Sequence, residues 1–410
     1  MHLKDVFMRK KCKTYIVLVM FFFGTVGQIK AEENIMIKNI ARDNTLFALD
    51  LYNQLKMTDA NLFFSPFSIF TALAMTWAGA RENTAVQMAE TLHFTEKPAQ
   101  FHRAIGDLIS QLNAVQKETD VELRVANAIW VQKGYQFLNE FFRIVQQYYR
   151  ADLMQVDFSS AAESARQAIN AWVEQQTNEK IKDLLPPKVL NALTRLVLVN
   201  AIYFKGFWDN QFKSRDTREM EFWLLTEAAV KVPMMHQEHQ FGYWENDWLQ
   251  IMEMPYKEES LSLIVLLPKE KTGITDLEQK LNFENMTAWQ SRLRKRKVIV
   301  FFPKFKIESQ FSLGQTLASM GMPDAFDPER ADFSAMVGQK ELYISAVIHK
   351  AFLEVNEEGS EAAAATGVVV SVTSIAQSPP IFKADHPFVF FIRDNKSQSI
   401  LFLGRVLNPA

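Results

Sequence analysis

Residues 357–387 read EEGSEAAAATGVVVSVTSIAQSPPIFKADHP, and this stretch decides how the rest of the chain is interpreted. Gly359 is followed by a serine and a glutamate, then by four alanines, a threonine, a glycine and three valines. The segment has neither a heptad nor the regular alternation of a half-buried strand, although its small and β-branched residues are compatible with a strand. A loop of this length without secondary structure of its own is uncommon in a compact domain unless it has a function.

The sequence around this segment contains four long motifs. They are NLFFSPFSI at 61–69, LVNAIYFKGFW at 198–208, HKAFLEVNEEG at 349–359, and HPFVFFI at 386–392 continuing to GRV at 404–406. On these motifs the chain resembles the serpin (serine protease inhibitor) family across nearly all of residues 35–410, with a loop like that of the ovalbumin-like group. The resemblance implies an α+β fold: a single serpin domain with three β-sheets, eight or nine helices and an exposed C-terminal reactive centre loop at about 357–387.

The composition is that of an ordinary folded chain, with 410 residues, 48% apolar and 22% charged. Collagen, low-complexity sequence and wholesale disorder are excluded. A formal net charge of −2 gives no global electrostatic reason to expect a nucleic-acid partner. Length alone favours two or three domains, but no linker rich in Pro, Gly or Ser divides the chain, and the resemblance implies one domain at 32–410.

The N-terminal segment predicts a signal peptide. Residues 1–14 carry five lysines and arginines against one aspartate, and twelve mainly apolar residues follow at 15–26. Such a block is too short to span a bilayer comfortably, so a signal peptide at 1–31, cleaved after Ala31 or Gly27, is favoured over an uncleaved anchor. The mature protein is then secreted, extracellular, free of the membrane and without Cys12, the only cysteine. Sequons at Asn285 and Asn395 make a glycoprotein plausible.

Hydrophobic periodicity predicts helices at 39–56 and 68–79. Buried strands are predicted at 123–132, 196–204, 261–267, 298–302, 353–355 and 388–392. Late strands that pair with early ones would make one large mixed domain.

Sequence motifs for catalysis are missing. There is no phosphate-binding glycine loop, Rossmann fingerprint or nucleophile elbow, and the seven histidines are scattered. No enzymatic activity, cofactor or metal is therefore expected. One basic run could bind a heparin-like polyanion, although a solvated face leading into a strand is the more common meaning of such a run. Its cations are Arg292, Arg294, Lys295, Arg296 and Lys297.

The resemblance implies inhibition by a suicide-substrate mechanism. The serine of a target protease attacks the loop and forms an acyl-enzyme, and the cleaved loop inserts into the central sheet as a new strand. The family spacing of seventeen residues from Glu357 places the reactive bond at Thr373–Ser374. A small residue there favours an elastase-like protease with a small S1 pocket, with a papain-like cysteine protease as an alternative. The inhibitor is expected to be a monomer that forms a covalent complex with its target.

The loop sequence is compatible with insertion. In a strand, Ser360 and every second residue to Val372 share one face, which starts small and ends apolar. Glu361 lies on the other face, which is expected to point to solvent. No proline or inward charge interrupts the hinge, and this argues against the alternative of a non-inhibitory carrier or chaperone. The hinge consists of Glu357, Glu358, Gly359, Ser360, Glu361, Ala362, Ala363, Ala364, Ala365 and Thr366.

Two clusters are implied by matching single residues to the family. The shutter, a polar cluster beneath the point where the central strands part, consists of Ser65, Ser68, Asn200 and His349. The breach, at the upper end of the sheet where the loop first inserts, consists of Trp208, Glu357 and Lys304, with an ion pair expected between the last two.

Overall fold

A computed structural model describes residues 33–118, 121–360 and 378–410. The predicted signal peptide, the hinge positions Glu361–Thr366 and the reactive bond Thr373–Ser374 lie outside the described residues. None of the helices within those three ranges is long and apolar enough to cross a membrane.

Ten α-helical segments occur in the described residues, and nine of them have six or more residues. The predicted helices at 39–56 and 68–79 correspond to the first two. Helix α2 begins where the Ser65 side chain accepts a hydrogen bond from the Ser68 backbone and Pro66 fills the first turn. The helices are α1 (33–55), α2 (Pro66–Trp77), α3 (Glu82–Thr91), α4 (Pro98–Glu118), α5 (Asn139–Ile144), α6 (Phe158–Gln176), α7 (Ile274–Gln279), α8 (Phe283–Ser291), α9 (Gly314–Met320) and α10 (Ser334–Val337).

Fifteen strands occur in the same ranges, and all six predicted strands are among them. They are β1 (Leu62–Phe64), β2 (Glu122–Gln132), β3 (Asp152–Val156), β4 (Leu196–Phe207), β5 (Arg218–Trp223), β6 (Ala229–Glu245), β7 (Leu249–Pro255), β8 (Leu261–Pro268), β9 (Arg294–Pro303), β10 (Phe305–Ser312), β11 (Ile344–Val355), β12 (Gly359–Ser360), β13 (Ile381–Lys383), β14 (Phe388–Asp394) and β15 (Ile400–Val406).

The strands form two hydrogen-bonded arrays. Six strands run in the order β10-β11-β4-β2-β3, with β12 added to the end of β4. Nine strands run in the order β1-β15-β14-β8-β7-β6-β9-β13, with β5 on β6. The long strand β6 pairs with β5 and β9 over most of its length and with β7 only at its end, so it joins two of the three expected sheets into one array.

The centre of the six-stranded sheet is a parallel pair, β4 and β11. We call the line between them the seam. The two faces of the sheet belong to different cores: Leu196, Leu198, Ile202 and Phe204 face the large core shared with the nine strands and α2. The alternate residues of β4 face a smaller core beneath α6. Both faces of the seam are therefore covered by protein, as is usual for parallel strands.

The last strand is tied to α7 by a buried ion pair, and the same carboxylate accepts a hydrogen bond from the first helix. Arg405 Nη1 lies 2.9 Å from Glu278 Oε1, and Tyr52 donates a hydrogen bond to the same oxygen at 2.7 Å. The side chains of Arg405 and Glu278 are 6% and 9% exposed. A charge left alone in such a place is costly, because neither water nor a counter-ion replaces the lost partner.

We expect Arg405→Met to lower the free energy of unfolding by about 3–5 kcal/mol, because it leaves the Glu278 carboxylate buried without a cation. The matched control is Lys297→Met, which removes an exposed cation paired with Glu238 and should cost under about 1 kcal/mol. Urea denaturation at pH 7 measures both. Equal losses would show that the buried pair adds nothing beyond an exposed one.

Candidate functional site

The base of the loop lies beside the C-terminal end of β4, beyond the point where the pairing of β4 with β11 ends. Strand β11 ends at Val355, the chain reverses, and β12 runs antiparallel to β4, with Gly359 opposite Phe207 and Ser360 opposite Gly206. The pairing of β4 with β11 ends lower down, at Tyr203 and Phe352. The start of the loop thus occupies the position beside β4 that β11 has left.

Gly359 is required by this close approach. Its φ angle is +154°, and a Cβ atom there would lie 2.0 Å from the Gly206 carbonyl oxygen. Only glycine tolerates both the backbone angle and the contact. The turn is closed by a hydrogen bond of 2.9 Å from Asn356 N to the Gly359 carbonyl.

The breach residues meet as the sequence predicts. Trp208 is 3% exposed, stacks on Tyr256 with ring centroids 4.8 Å apart, and donates its indole N–H to the Asn356 carbonyl at 3.0 Å. Its backbone N–H donates to the Glu358 carbonyl at 2.8 Å. One tryptophan therefore holds two carbonyls of the turn that begins the loop.

The expected ion pair is formed. Lys304 Nζ lies 2.8 Å from Glu357 Oε2, and the Thr217 hydroxyl donates to Glu357 Oε1 at 2.8 Å. Burial raises the pKa of Glu357, but the hydrogen bonds from Lys304 and Thr217 outweigh burial and leave the pKa below its ordinary value. Glu357 is therefore anionic at neutral pH and fixed at both oxygens.

The four shutter residues also converge. His349 on β11 lies opposite Asn200 on β4, across the seam, and its Nδ1 contacts Asn200 Oδ1. The Ser65 backbone N–H donates to His349 Nε2 at 3.1 Å, and the Ser65 hydroxyl donates to the Leu401 carbonyl at 2.6 Å. Asn200 Nδ2 donates to Ser68 Oγ. All four residues are fully buried.

The hydrogen-bond partners of His349 show which of its ring nitrogens carries the proton. Because the Ser65 N–H is a donor, His349 Nε2 is an acceptor and the single proton of the neutral ring sits on Nδ1, facing Asn200 Oδ1. Burial lowers the pKa of His349 to about 3, so the ring is neutral at physiological pH. The hydrogen bond from His349 to Asn200 joins the two strands of the seam.

The basic run does not form one cationic face. Arg294 and Arg296 lie opposite Tyr243 and Phe241, whereas the two lysines between and beyond them lie on the other side of β9. The guanidinium of Arg292 lies 5.2 Å from the Trp244 ring centroid. Lys295 and Lys297 are paired with Glu259 and Glu238.

The sequons differ in their surroundings. Asn285 is partly exposed near the start of α8, and its amide donates one hydrogen bond, to the Lys280 carbonyl at 2.8 Å. The Asn395 amide donates to both Glu259 O and Ser262 Oγ, and the hydroxyl of Ser397 is buried against Asp394.

Comparison with known proteins decides the family. The model of the serpin (serine protease inhibitor) family matches residues 42–409. This chain is a serpin. Serpin B3 of Homo sapiens is 42% identical over 394 residues, covering 91% of this chain and 100% of the relative. Leukocyte elastase inhibitor A of Mus musculus is 41% identical over 388 residues, with the same coverage. The structure of uncleaved ovalbumin has a TM-score of 0.82 at 33% identity, covering 90% of this chain and 100% of that one.

The serpin site includes three residues that the sequence did not single out. Asn127 on β2 accepts hydrogen bonds from Ser68 and Asn200 and so extends the shutter across a third strand. Thr217 binds Glu357, and Tyr256 stacks on Trp208. For Asn127 the one available signal was its position as an isolated asparagine in the apolar stretch VANAIWV at 125–131, because a buried amide needs partners.

The shutter histidine predicts a pH dependence. Its folded pKa is depressed, so its contribution to stability is complete above the unfolded pKa of about 6.5 and is lost as pH falls towards 3. Buried His102, whose pKa is lowered to about 4 by burial, acts in the same direction. These two histidines together make the free energy of unfolding decrease as the pH falls. We expect His349→Gln to remove the share of one histidine, roughly half of this decrease, which is up to about 1.4 kcal/mol per pH unit.

Unfolding free energies between pH 7 and 4.5 measure the effect, and His239→Gln, at an exposed ring, is the control. The parental slope should persist in the control. An unchanged slope in His349→Gln would show that the shutter ring is protonated in the folded chain.

Proposed function

We propose that this serpin is a suicide-substrate inhibitor of an elastase-like serine protease, acting by covalent acyl-enzyme trapping and insertion of its cleaved loop. The observation that carries the proposal is the pairing of Gly359 and Ser360 with β4. A strand antiparallel to β4 has already started beside it, at the upper end of the seam. Membership of the serpin family supports protease inhibition as the activity.

Extending this register predicts where the loop would lie. Each further residue would face the residue one step earlier in β4, and directly opposite residues share a face. Ala362 would then lie opposite Phe204, Ala364 opposite Ile202, Thr366 opposite Asn200, Val368 opposite Leu198 and Val370 opposite Leu196. The four alanines and valines among these five residues would face the large core. Thr366, the only one with a hydroxyl, would face the shutter.

The other face of an inserted loop would be only partly open to solvent. It was expected to point to solvent, but α6 and residues 181–185 cover it along Val197, Val199 and Ala201. In the same register Ala365, Gly367 and Val369 would lie opposite Ala201, Val199 and Val197, so two of the three side chains beneath the cover are among the smallest. Glu361 would lie opposite Lys205, above the covered stretch and beside an opposite charge.

Residues 181–185, which we call the strap, are held from both sides of the seam. Lys350 on β11 and Gln310 on β10 donate to the carbonyls of Lys182 and Leu184 at 2.8 and 2.9 Å. On α6, Asn170 exchanges two hydrogen bonds with Leu185, at 3.0 and 2.8 Å. Insertion along the seam therefore requires α6 and the strap to move aside or these bonds to break.

The energetic gain follows from the strand directions. An inserted strand replaces one parallel pairing by two antiparallel ones, which are slightly more stable per residue. The ten residues from Glu361 to Val370 would become part of a central strand. At about 1 kcal/mol net for each backbone hydrogen bond, the gain is on the order of 10 kcal/mol.

Three finer features belong to the same proposal. A reactive bond at Thr373–Ser374, or a neighbouring bond after Val372 or Ile375, suits a small S1 pocket, and the mouse relative is named for elastase inhibition. Secretion behind a signal peptide is proposed from the basic and apolar N-terminal sequence alone. Use of either sequon and polyanion binding at the basic run remain predictions, as does a monomeric state.

Two other functions are distinguished by experiment. A papain-like cysteine protease as target would leave the loop mechanism unchanged. A carrier or chaperone would be cleaved without trapping the protease. The small residues of the hinge favour trapping over both simple cleavage and a carrier role.

Incubation with pancreatic or leukocyte elastase should give a complex that survives SDS, with cleavage at or beside Thr373. Separately, a protease that nicks the loop without being trapped should raise the thermal midpoint by on the order of 10 °C, given the gain estimated above. Thr373→Arg should transfer complex formation from elastase to trypsin. Cleavage with neither a complex nor a rise in midpoint would exclude the mechanism.

The register itself is tested by a pair of substitutions. Ala364→Asp would bury a carboxylate against Ile202 in the large core, so we expect it to convert the inhibitor into a substrate. Ala363→Asp would place the same charge opposite Tyr203, whose ring lies 5.6 Å from Lys180 Nζ, and should retain most inhibition. Stoichiometry of inhibition is the measurement, and the reverse order would refute the register.

A further inference from the structure

A cavity of about 420 Å³ lies between the end of α2 and helices α3, α4 and α5. None of its lining residues belongs to the hinge, shutter, breach or basic run. Its apolar lining is formed by Trp77, Ala78, Ala80, Ala85, Pro98, Ala99, Ile144 and Tyr148. Arg81, Glu82, Glu140, Arg143 and His102 supply the polar lining. The size and the mainly apolar lining are those of a small-molecule site.

His102 is the buried polar group of this cavity. It is 3% exposed, and its Nδ1 lies 2.6 Å from the hydroxyl of Tyr149. Burial lowers the pKa of His102 to about 4 and raises the pKa of Tyr149 well above its ordinary value. At neutral pH the pair is therefore an uncharged imidazole and an uncharged phenol.

The proton positions follow from the available partners. Among the described residues the Tyr149 hydroxyl has no acceptor other than His102, so its proton is satisfied only when it is donated to Nδ1. The ring proton of His102 is then on Nε2. Among the described residues no acceptor pairs with that N–H, and Nε2 is not fully buried, so a donor that solvent or a ligand can reach is left at the wall of the cavity.

The wall is also unusual in its backbone. Val145–Tyr149 continues α5 as a π-helix, and this turn brings Tyr148 to the cavity and Tyr149 to His102. Isolated π-helical turns are rare and are frequent at functional sites.

We propose that this cavity binds a small amphipathic carboxylate. Its apolar body packs against Trp77 and Tyr148, and a carboxylate oxygen accepts the hydrogen bond of His102 Nε2–H. Arg81 and Arg143 line the same cavity, and Glu82 and Glu140 balance their charge. Selectivity therefore comes from this unpaired imidazole N–H rather than from net charge. The site is independent of the loop and goes beyond protease inhibition.

Three probes with one apolar body test the polar preference: 4-phenylbutyrate, 4-phenylbutyramide and 4-phenylbutylamine, titrated calorimetrically into the intact protein. The carboxylate should bind at least tenfold more tightly than the amine, because the amine offers no acceptor to His102 when it is protonated. Equal affinities for all three, or no binding of any, would overturn the proposal.

Variants locate the site. Ala99→Trp should fill the cavity and abolish 4-phenylbutyrate binding. Ala89→Trp, which fills a separate cavity bordered by Arg42, Leu46 and Val86, should leave binding unchanged. His102→Phe should weaken the carboxylate about tenfold, the loss of one hydrogen bond, and leave the amine unaffected. If His102→Phe fails to fold, Ala99→Trp and Ala89→Trp still test whether 4-phenylbutyrate binds in this cavity. Binding that survives Ala99→Trp, or that is lost in Ala89→Trp, would refute the assignment.

Discussion

The parallel pairing of β4 with β11 is the constraint on which the rest of the structure depends. Two parallel neighbours can accept a third strand between them if it runs antiparallel to both. The chain provides the start of such a strand, because it reverses direction directly after β11 and returns beside β4 at Gly359. Strand direction, the turn and the position of Gly359 and Ser360 are therefore parts of one arrangement.

The polar groups around the seam bind across it. His349 and Asn200 join β11 to β4, Asn127 extends the contact to β2, and Ser65 and Ser68 connect it to α2. Buried polar groups favour a single arrangement because each unsatisfied partner is costly. A separation of β4 from β11 would leave these polar side chains without some of their hydrogen-bond partners. Thr366 is the loop residue that the proposed register would bring beside them.

The sequence predicted those parts of the fold that long apolar runs specify. Strand β8 and helix α2 are examples, since nearly every residue is apolar. Of β11 only residues 353–355 were predicted, because His349 and Lys350 interrupt the apolar pattern. Both are buried beside specific partners, and those partners come from distant parts of the chain. Periodicity along one segment cannot contain that information.

The candidate site was predicted in the same uneven way. The shutter and the ion pair of Glu357 with Lys304 were obtained from the family resemblance and are formed. Asn127, Thr217 and Tyr256 were not, since each matters only through a residue at least forty-eight positions away. The expectation that the second face of an inserted loop points to solvent took no account of α6, because sequence alternation identifies two faces but does not reveal that α6 covers one face of β4.

The strap links events that are separated along the sheet. Its hydrogen bonds come from α6 on one side and from β10 and β11 on the other, so widening the seam at its middle displaces a whole helix. An acyl-enzyme is itself short-lived, because water competes for the ester. In the proposed mechanism the hydrolysis of that ester would compete with the movement of the helix, and residues such as Gln310 and Asn170 would influence the outcome without touching the bond that the protease cuts.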